Sequence, residues 1–147
     1  MSSYPLQKRP TLLHQHVSGR LYRAIADWVD SPIGRGTVLL PLSIAIGPGN
    51  AYTPGLMWFE DELSLDAERV PRMPDLLIRV DDGAALRAQD DWQYGPRELW
   101  LVNLDSWSVK VLRDDGTWER DEFDSLISPQ MPGFEVTVGD LFPVSDR

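Results

Sequence analysis

A short apolar run near the middle of the chain most constrains the fold. Residues 76–80 read Leu-Leu-Ile-Arg-Val, so both sides of an extended chain are apolar apart from one arginine. A strand of this composition is typical of the middle of a sheet, where both of its faces are buried. Asp81, Asp82 and Gly83 end the run. The sequence therefore predicts a central strand over residues 75–80.

The N-terminal half of the chain predicts one helix and one hairpin. Apolar residues spaced three and four apart predict an amphipathic helix over Leu12–Val29, with Thr11 as its cap. Residues 37–46 are rich in leucine and β-branched residues and predict a strand with an irregularity at Pro41. After a glycine-rich turn, the apolar run Leu56–Phe59 is expected to return antiparallel to that strand.

The C-terminal half predicts a short helix followed by several strands. Residues 84–92 favour a helix by propensity, although this length is marginal without packing. A strand meander is expected over residues 98–102, 108–112 and 117–123, and residues 131–142 contain one more short strand. The expected fold class is α/β, with a mixed central sheet flanked by helices, a C-terminal antiparallel strand meander, and a single domain over residues 1–147.

Composition excludes several kinds of site and partner. The chain has no cysteine, which excludes disulfides, thiolate zinc sites and cysteine nucleophiles. Its formal net charge of −9 at pH 7 repels phosphate backbones unless the 14 Lys and Arg residues gather on one face. No apolar run approaches the roughly 20 residues that span a bilayer, and the N-terminus has no signal-peptide pattern. We expect a cytoplasmic protein with no membrane partner.

Five short phrases follow one another along nearly the whole chain. They are His-Gln-His-Val-Ser-Gly-Arg-Leu at 14–21, Pro-Gly-Leu at 54–56, Pro-Asp-Leu-Leu-Ile at 74–78, Gly-Pro-Arg-Glu-Leu-Trp-Leu-Val at 95–102, and Met-Pro-Gly-Phe at 131–134. In order and spacing the phrases resemble the Uma-two family of restriction endonucleases, a branch of the PD-(D/E)xK nuclease superfamily. The resemblance implies a restriction-endonuclease-like fold and hydrolysis of nucleic acid at a divalent cation, Mg²⁺ or Mn²⁺.

The resemblance also implies catalytic positions from which this chain departs. In the family an aspartate follows the first proline, a glutamate lies on the central strand, and a lysine follows on the next helix. The two carboxylates hold the cation, and the lysine stabilises developing negative charge. Here the aspartate position is Gly55, the glutamate position falls on Arg79, and no lysine follows, although Arg87 could supply its charge. Asn103 also replaces an aspartate that ends the strand phrase.

These departures predict a catalytically inactive member of the family with no cofactor. The candidate site residues that remain are Asp75, Arg79 and Arg87. An arginine inside an apolar strand needs either a carboxylate partner, such as Glu98 or Asp75, or an anionic ligand. Asp75 follows a proline at a strand start, as in the superfamily's name motif.

Two alternatives stay open. In the first, the protein is an active endonuclease that binds Mg²⁺ or Mn²⁺ at a relocated site around Asp75, with help from nearby acids: Asp81, Asp82, Asp90 and Asp91. In the second, it is a binding or assembly module, acting as a homodimer, for which nucleic acid need not be the partner. Convergent carboxylates around Asp75 would support the first hypothesis, and a surface cluster of apolar residues would support the second.

Overall fold

The computed structural model describes residues 11–41, 44–47, 50–52, 55–66, 72–83, 86 and 96–143. The elements whose bounds fall within these ranges are, in chain order, α1 Leu12–Val29, β1 Thr37–Leu39, β2 Ile44–Gly47, β3 Asn50–Tyr52, β4 Leu56–Phe59, β5 Leu76–Asp81, β6 Glu98–Asn103, β7 Ser108–Arg113, β8 Gly116–Arg120, β9 Ser125–Leu126, β10 Val136–Thr137 and the 3-10 turn Val138–Leu141.

Six strands form the main sheet in the order β1-β4-β5-β6-β7-β8. β5 and β6 run parallel, and every other neighbouring pair in this sheet is antiparallel. Two antiparallel strand pairs, β2 with β3 and β9 with β10, stand outside it. The predicted mixed sheet is confirmed, with the strand of residues 75–80 inside it and the meander β6-β7-β8 beside it.

Helix α1 forms because its ends are capped and one stripe is apolar. The Thr11 hydroxyl accepts a hydrogen bond from the His14 N–H at 3.0 Å, which satisfies one of the free donors of the first turn. The buried stripe consists of Val17, Leu21, Ile25 and Trp28, at the predicted spacing. These side chains pack on the sheet face that carries alternate residues of the central strands.

The two faces of the sheet hold two separate apolar clusters. The face under α1 carries Trp58, Ile78 and Trp100, whereas the opposite face carries Phe59, Leu77 and Leu99. The predicted short helix over residues 84–92 falls mostly outside the described residues. Leu86, which is described, is buried, and its N–H donates to the Asp82 carbonyl at 3.1 Å, as in a helical turn.

Residues 37–46 do not form the one strand that was predicted. β1 ends at Leu39 and β2 begins at Ile44, and the two strands belong to different sheets. The exposed Pro41 lies between them. A proline has no N–H to donate to a strand ladder, which explains why β1 ends before it. The expected antiparallel partner of β1 is confirmed as β4, with Leu39 opposite Met57. Strands β3 and β9 were not predicted.

Within the part of the chain that the structure describes, no helix is both long enough and apolar enough to cross a membrane.

Candidate functional site

The two positions at which the family resemblance implies metal-binding carboxylates lie side by side. Gly55 directly precedes β4, and Leu56 is paired with Ile78 of β5 across the sheet. A Cβ atom built on Gly55 would lie 2.0 Å from the Ile78 carbonyl oxygen and 3.4 Å from the Cα of Arg79. Positions 55 and 79 therefore meet on adjacent strands, as two ligands of one cation would have to.

The backbone at Gly55 leaves no room for a side chain. Its φ angle is +139°, a conformation that residues with a Cβ rarely adopt. The space in which a side chain would start is occupied by the Ile78 carbonyl, which belongs to the central strand and cannot move freely. Any other residue at position 55 therefore requires a backbone shift, and an aspartate could not simply take the place of this glycine.

The residues at these positions do not fit a divalent cation. Mg²⁺ and Mn²⁺ need oxygen ligands, usually carboxylates, but position 55 offers no side chain and position 79 offers a guanidinium. Across the ranges that the structure describes, no three His, Cys, Asp or Glu residues are grouped so that they could hold a metal. The family's metal chemistry thus has no ligand set at Gly55 and Arg79.

Arg79 lies on the sheet face opposite α1 and is half-buried. It is paired with Leu101 of β6, and strand alternation places Glu98 and Trp100 on the other face. The two carboxylates expected as partners of Arg79 contact other arginines: Glu98 contacts Arg113, and Asp75 contacts Arg72. Glu98 contacts Arg113 instead of Arg79 because strand alternation places Glu98 and Arg79 on opposite faces of the sheet. Asp75 contacts Arg72 instead because Asp75 lies before the start of β5.

Asp75 is held by a forked arginine contact rather than left free for a ligand. Its side chain is 7% exposed, and the two guanidinium nitrogens of Arg72 lie 3.2 Å and 2.9 Å from its Oδ1 and Oδ2 atoms. The Glu60 N–H donates to Oδ2 at 2.7 Å, and the Arg97 guanidinium lies 3.8 Å from Oδ1. Both oxygens are engaged, so a cation at Asp75 would have to displace Arg72.

Asp75 is also remote from Gly55 and Arg79. Four residues along a strand span about 13 Å, so Asp75, which precedes β5, lies far from Arg79 in the second half of that strand. Around Asp75 the charges alternate, since Arg35 and Arg97 contact Glu60 at 3.4 Å and 3.2 Å. We call this set of ion pairs the Asp75 network. It is partly exposed, so most single pairs in it contribute little stability.

The ion pair at Asp75 makes stability depend on pH. Burial acts to raise the pKa of Asp75, but hydrogen bonds from Arg72 and the Glu60 N–H, with the charges of Arg72 and Arg97, outweigh burial and lower it. A carboxyl with a lowered folded-state pKa stabilises the fold above its unfolded pKa, and this contribution is lost as pH falls through the folded value. Below about pH 4, therefore, wild-type protein should lose more stability than Asp75→Asn. Urea unfolding from about pH 6 down to pH 3 measures the difference.

The control for this titration is Asp114→Asn, which removes an exposed carboxylate outside the Asp75 network. It should keep the acid dependence of the wild-type protein. If Asp75→Asn also kept it in full, the contact with Arg72 would not be the source of the effect.

The other predicted acids lie at the end of β5 or outside the described residues. The Asp81 carboxylate accepts the Asp82 N–H at 2.8 Å, so it closes the end of β5. The side-chain Oδ1 of Asn103 accepts hydrogen bonds from the N–H groups of Asp105 and Ser106 at 2.9 Å and 3.3 Å, which shapes the turn between β6 and β7. Arg87, Asp90 and Asp91 lie outside the described residues. The candidates Asp75 and Arg79 are not brought together.

The sequence suggested Glu98 only as a partner of Arg79 and did not predict its own buried site, where it is fully buried at the start of β6. Its Oε1 accepts hydrogen bonds from the Ser128 hydroxyl at 2.6 Å and the Gln130 amide at 3.1 Å. Its Oε2 accepts from the Trp100 indole at 2.8 Å and lies 3.5 Å from Arg113. A charged residue opening an apolar strand was the available signal, the same signal that singled out Arg79. This cluster joins β6 to the segment before β10.

Comparison with known proteins agrees with the resemblance found in the sequence. The model of the Uma2 family, described as "Putative restriction endonuclease", matches residues 5–139. The fold is similar to a crystal structure described as a "putative nuclease belonging to DUF820" from Anabaena variabilis, with 17% identity and a TM-score of 0.75. That match covers 92% of this chain and 83% of the other chain. No curated protein sequence matches the chain. Because the family model covers most of its length, the chain belongs to the Uma2 family.

Proposed function

We propose that this chain is a member of the Uma2 family that does not cleave nucleic acid and that acts by binding. The observation that carries the proposal is the position of the Ile78 carbonyl, which occupies the space where a Cβ at position 55 would lie and leaves no room for the ligand that the family's reaction needs. A change of one side chain would be reversible by one substitution. Here the backbone at position 55 also leaves no room for a side chain, so restoring the metal ligand would require a backbone shift as well as a substitution.

Arg79 strengthens the proposal through its charge. At these two positions, two carboxylates would contribute a charge of −2 and attract a dication, whereas a glycine and a guanidinium contribute +1. The contribution of these two positions to Mg²⁺ binding thus changes from attraction to repulsion, and a half-buried position screens this less than bulk water does. No cofactor is therefore proposed.

A relocated metal site around Asp75 is less favoured by the geometry. Its carboxylate accepts from Arg72 and the Glu60 N–H, and the acids at the end of β5 lie at the far end of that strand. Bringing them together with Asp75 would require breaking the Asp75 network and moving backbone. We therefore keep Gly55 and Arg79 as the positions that correspond to the family's metal site, and we propose no metal there.

The proposed partner is a protein. Membership of a nuclease family makes nucleic acid the alternative, but the net charge of −9 opposes it. Arg35, Arg72 and Arg97, which lie close together, each contact an acidic side chain, so they do not form a patch of uncompensated positive charge. Nucleic-acid binding would appear as a polarisation change of labelled DNA that weakens steeply with salt.

Cleavage of plasmid and single-stranded DNA in Mg²⁺ or Mn²⁺ tests the proposal. We expect no metal-dependent products from the wild-type protein, because Gly55 and Arg79 supply no carboxylate. The wild-type protein, Asp75→Asn and Asp114→Asn are purified in parallel and compared by gel electrophoresis. Asp114→Asn controls for a contaminating nuclease, since it changes an exposed carboxylate in a turn between β7 and β8.

Cutting by the wild-type protein above the level of a mock preparation would overturn the proposal. If that cutting were lost in Asp75→Asn but kept in Asp114→Asn, the active site would lie at Asp75. If both variants kept it, the protein would be an active nuclease with its site elsewhere.

A further inference from the structure

Strands β2 and β3 form a small sheet of their own. In the sequence they lie between β1 and β4, which are neighbours in the main sheet. The chain leaves the main sheet after Leu39 of β1 and returns at Leu56 of β4. Among the described residues, β2 and β3 pair only with each other. We call this strand pair the β2–β3 arm. Its strands therefore present edges that the main sheet does not cover.

The arm lies in the least charged part of the chain. Residues 36–59 include no Asp, Glu, Lys, Arg or His, although 25% of all residues are charged. A window of 24 residues at that frequency would contain about six charged residues. Leu40, which follows β1 on the way to the arm, is 56% exposed. Proteins commonly protect open strand edges with charged side chains, and this segment has none.

The charge distribution favours a second copy of this chain as the occupant. Two molecules of net charge −9 repel each other wherever their charged surfaces meet, and the uncharged arm is the region where that repulsion is smallest. A basic partner would instead be attracted to the acidic surface. A strand edge is also self-complementary, because its N–H and C=O groups can pair with the same edge of another copy.

The pairing of the arm indicates which edge is used. The register between β2 and β3 shifts between Ala45 and Gly47, which marks a bulge in β2. A bulge bends its strand and interrupts pairing, so the edge of β2 is a poor template. β3 is the regular strand, and Ala51 is its central residue.

We propose that two copies of the chain associate through antiparallel pairing of their β3 strands around a two-fold axis at Ala51. Asn50 then lies opposite Tyr52 of the partner subunit, and the two Ala51 residues face each other. The described strands of the arm, Ile44–Gly47 and Asn50–Tyr52, hold only seven residues per copy, fewer than the roughly 20–30 per side of a standard interface. We therefore expect a weak dimer, with a dissociation constant on the order of 10–100 µM. The proposal does not depend on whether the chain cleaves nucleic acid.

A charge-swap experiment at Ala51 tests the pairing. In Ala51→Glu and in Ala51→Lys, like charges meet across the two-fold axis, so each variant alone should dimerise at least tenfold more weakly than the wild-type protein. An equimolar mixture should recover association, because Glu then faces Lys. Sedimentation velocity from about 10 to 500 µM measures the dissociation constants. The uncharged variant Ala51→Thr should remain a dimer, and circular dichroism checks that every variant is folded.

The matched control places the same charges on the open edge of the main sheet. Thr117 is exposed on β8, so Thr117→Glu and Thr117→Lys should leave the dissociation constant unchanged. The proposal is overturned if the wild-type protein is monomeric at 500 µM, if the single Ala51 charge variants dimerise as tightly as the wild type, or if their mixture recovers nothing. Dissociation by the Thr117 variants would also overturn it, because the dimer would then use β8.

Discussion

Replacing Gly55 with alanine should lower the free energy of unfolding by about 3 kcal/mol. Two physical causes act together. The φ angle of +139° is strained for a residue with a Cβ, and the new Cβ would overlap the Ile78 carbonyl, which lies 2.0 Å away. Relief would require a shift at the start of β4, beside the buried central strand. Urea unfolding, with the slope checked against the wild type, measures the change.

Gly19 in α1 provides the matched control for this substitution. Nothing lies within 4 Å of a Cβ built there, and the position is exposed in a regular helix. Gly19→Ala should therefore raise the free energy of unfolding by up to about 1 kcal/mol, because alanine is the better helix former. The same chemical change thus has opposite signs at the two glycines. A neutral Gly55→Ala would mean that position 55 accepts a side chain, and the structural basis for proposing lost catalysis would fail.

The predictions that succeeded rest on local periodicity. Helix α1 repeats apolar residues over five turns, and the central strand β5 is apolar on both sides, so few alternatives compete with either prediction. The meander β6-β7-β8 was predictable from its tight turns. The split between β1 and β2 was not predictable, because the sequence there is mostly apolar and only Pro41 marks the break.

The candidate site was predictable only in part. The phrases around Gly55 and Arg79 indicated which positions to compare, but the φ angle of Gly55 and the lack of space for a Cβ beside Ile78 depend on the pairing of β4 with β5. The partners in ion pairs were harder still to predict from the sequence. Arg97 and Glu60 are 37 residues apart, and nothing local distinguishes this pair from others that the charged residues could form.

Glu98 illustrates how a buried charge is tolerated in this fold. Its carboxylate receives hydrogen bonds from three side chains and lies near a fourth that is cationic, so both of its oxygens have partners although the residue is fully buried. A buried ion pair adds little stability when it is compared with an apolar replacement of the same shape. Breaking the pair from one side is different, because the remaining donors stay buried without an acceptor.

Glu98→Ala should therefore lower the free energy of unfolding by about 4 kcal/mol, since it leaves the Trp100 indole and the Ser128 hydroxyl without their acceptor and Arg113 without its counter-charge. Glu98→Gln keeps the volume but turns an amide N–H₂ toward donors, and a loss of about 2 kcal/mol is expected. Glu119→Ala, on the exposed edge strand β8, is the control and should stay within about 0.5 kcal/mol of the wild type. Chemical unfolding of the three variants ranks their losses in free energy of unfolding. A loss below about 1 kcal/mol for Glu98→Ala would show that these donors find other acceptors, and the carboxylate would then not be what joins β6 to the segment before β10.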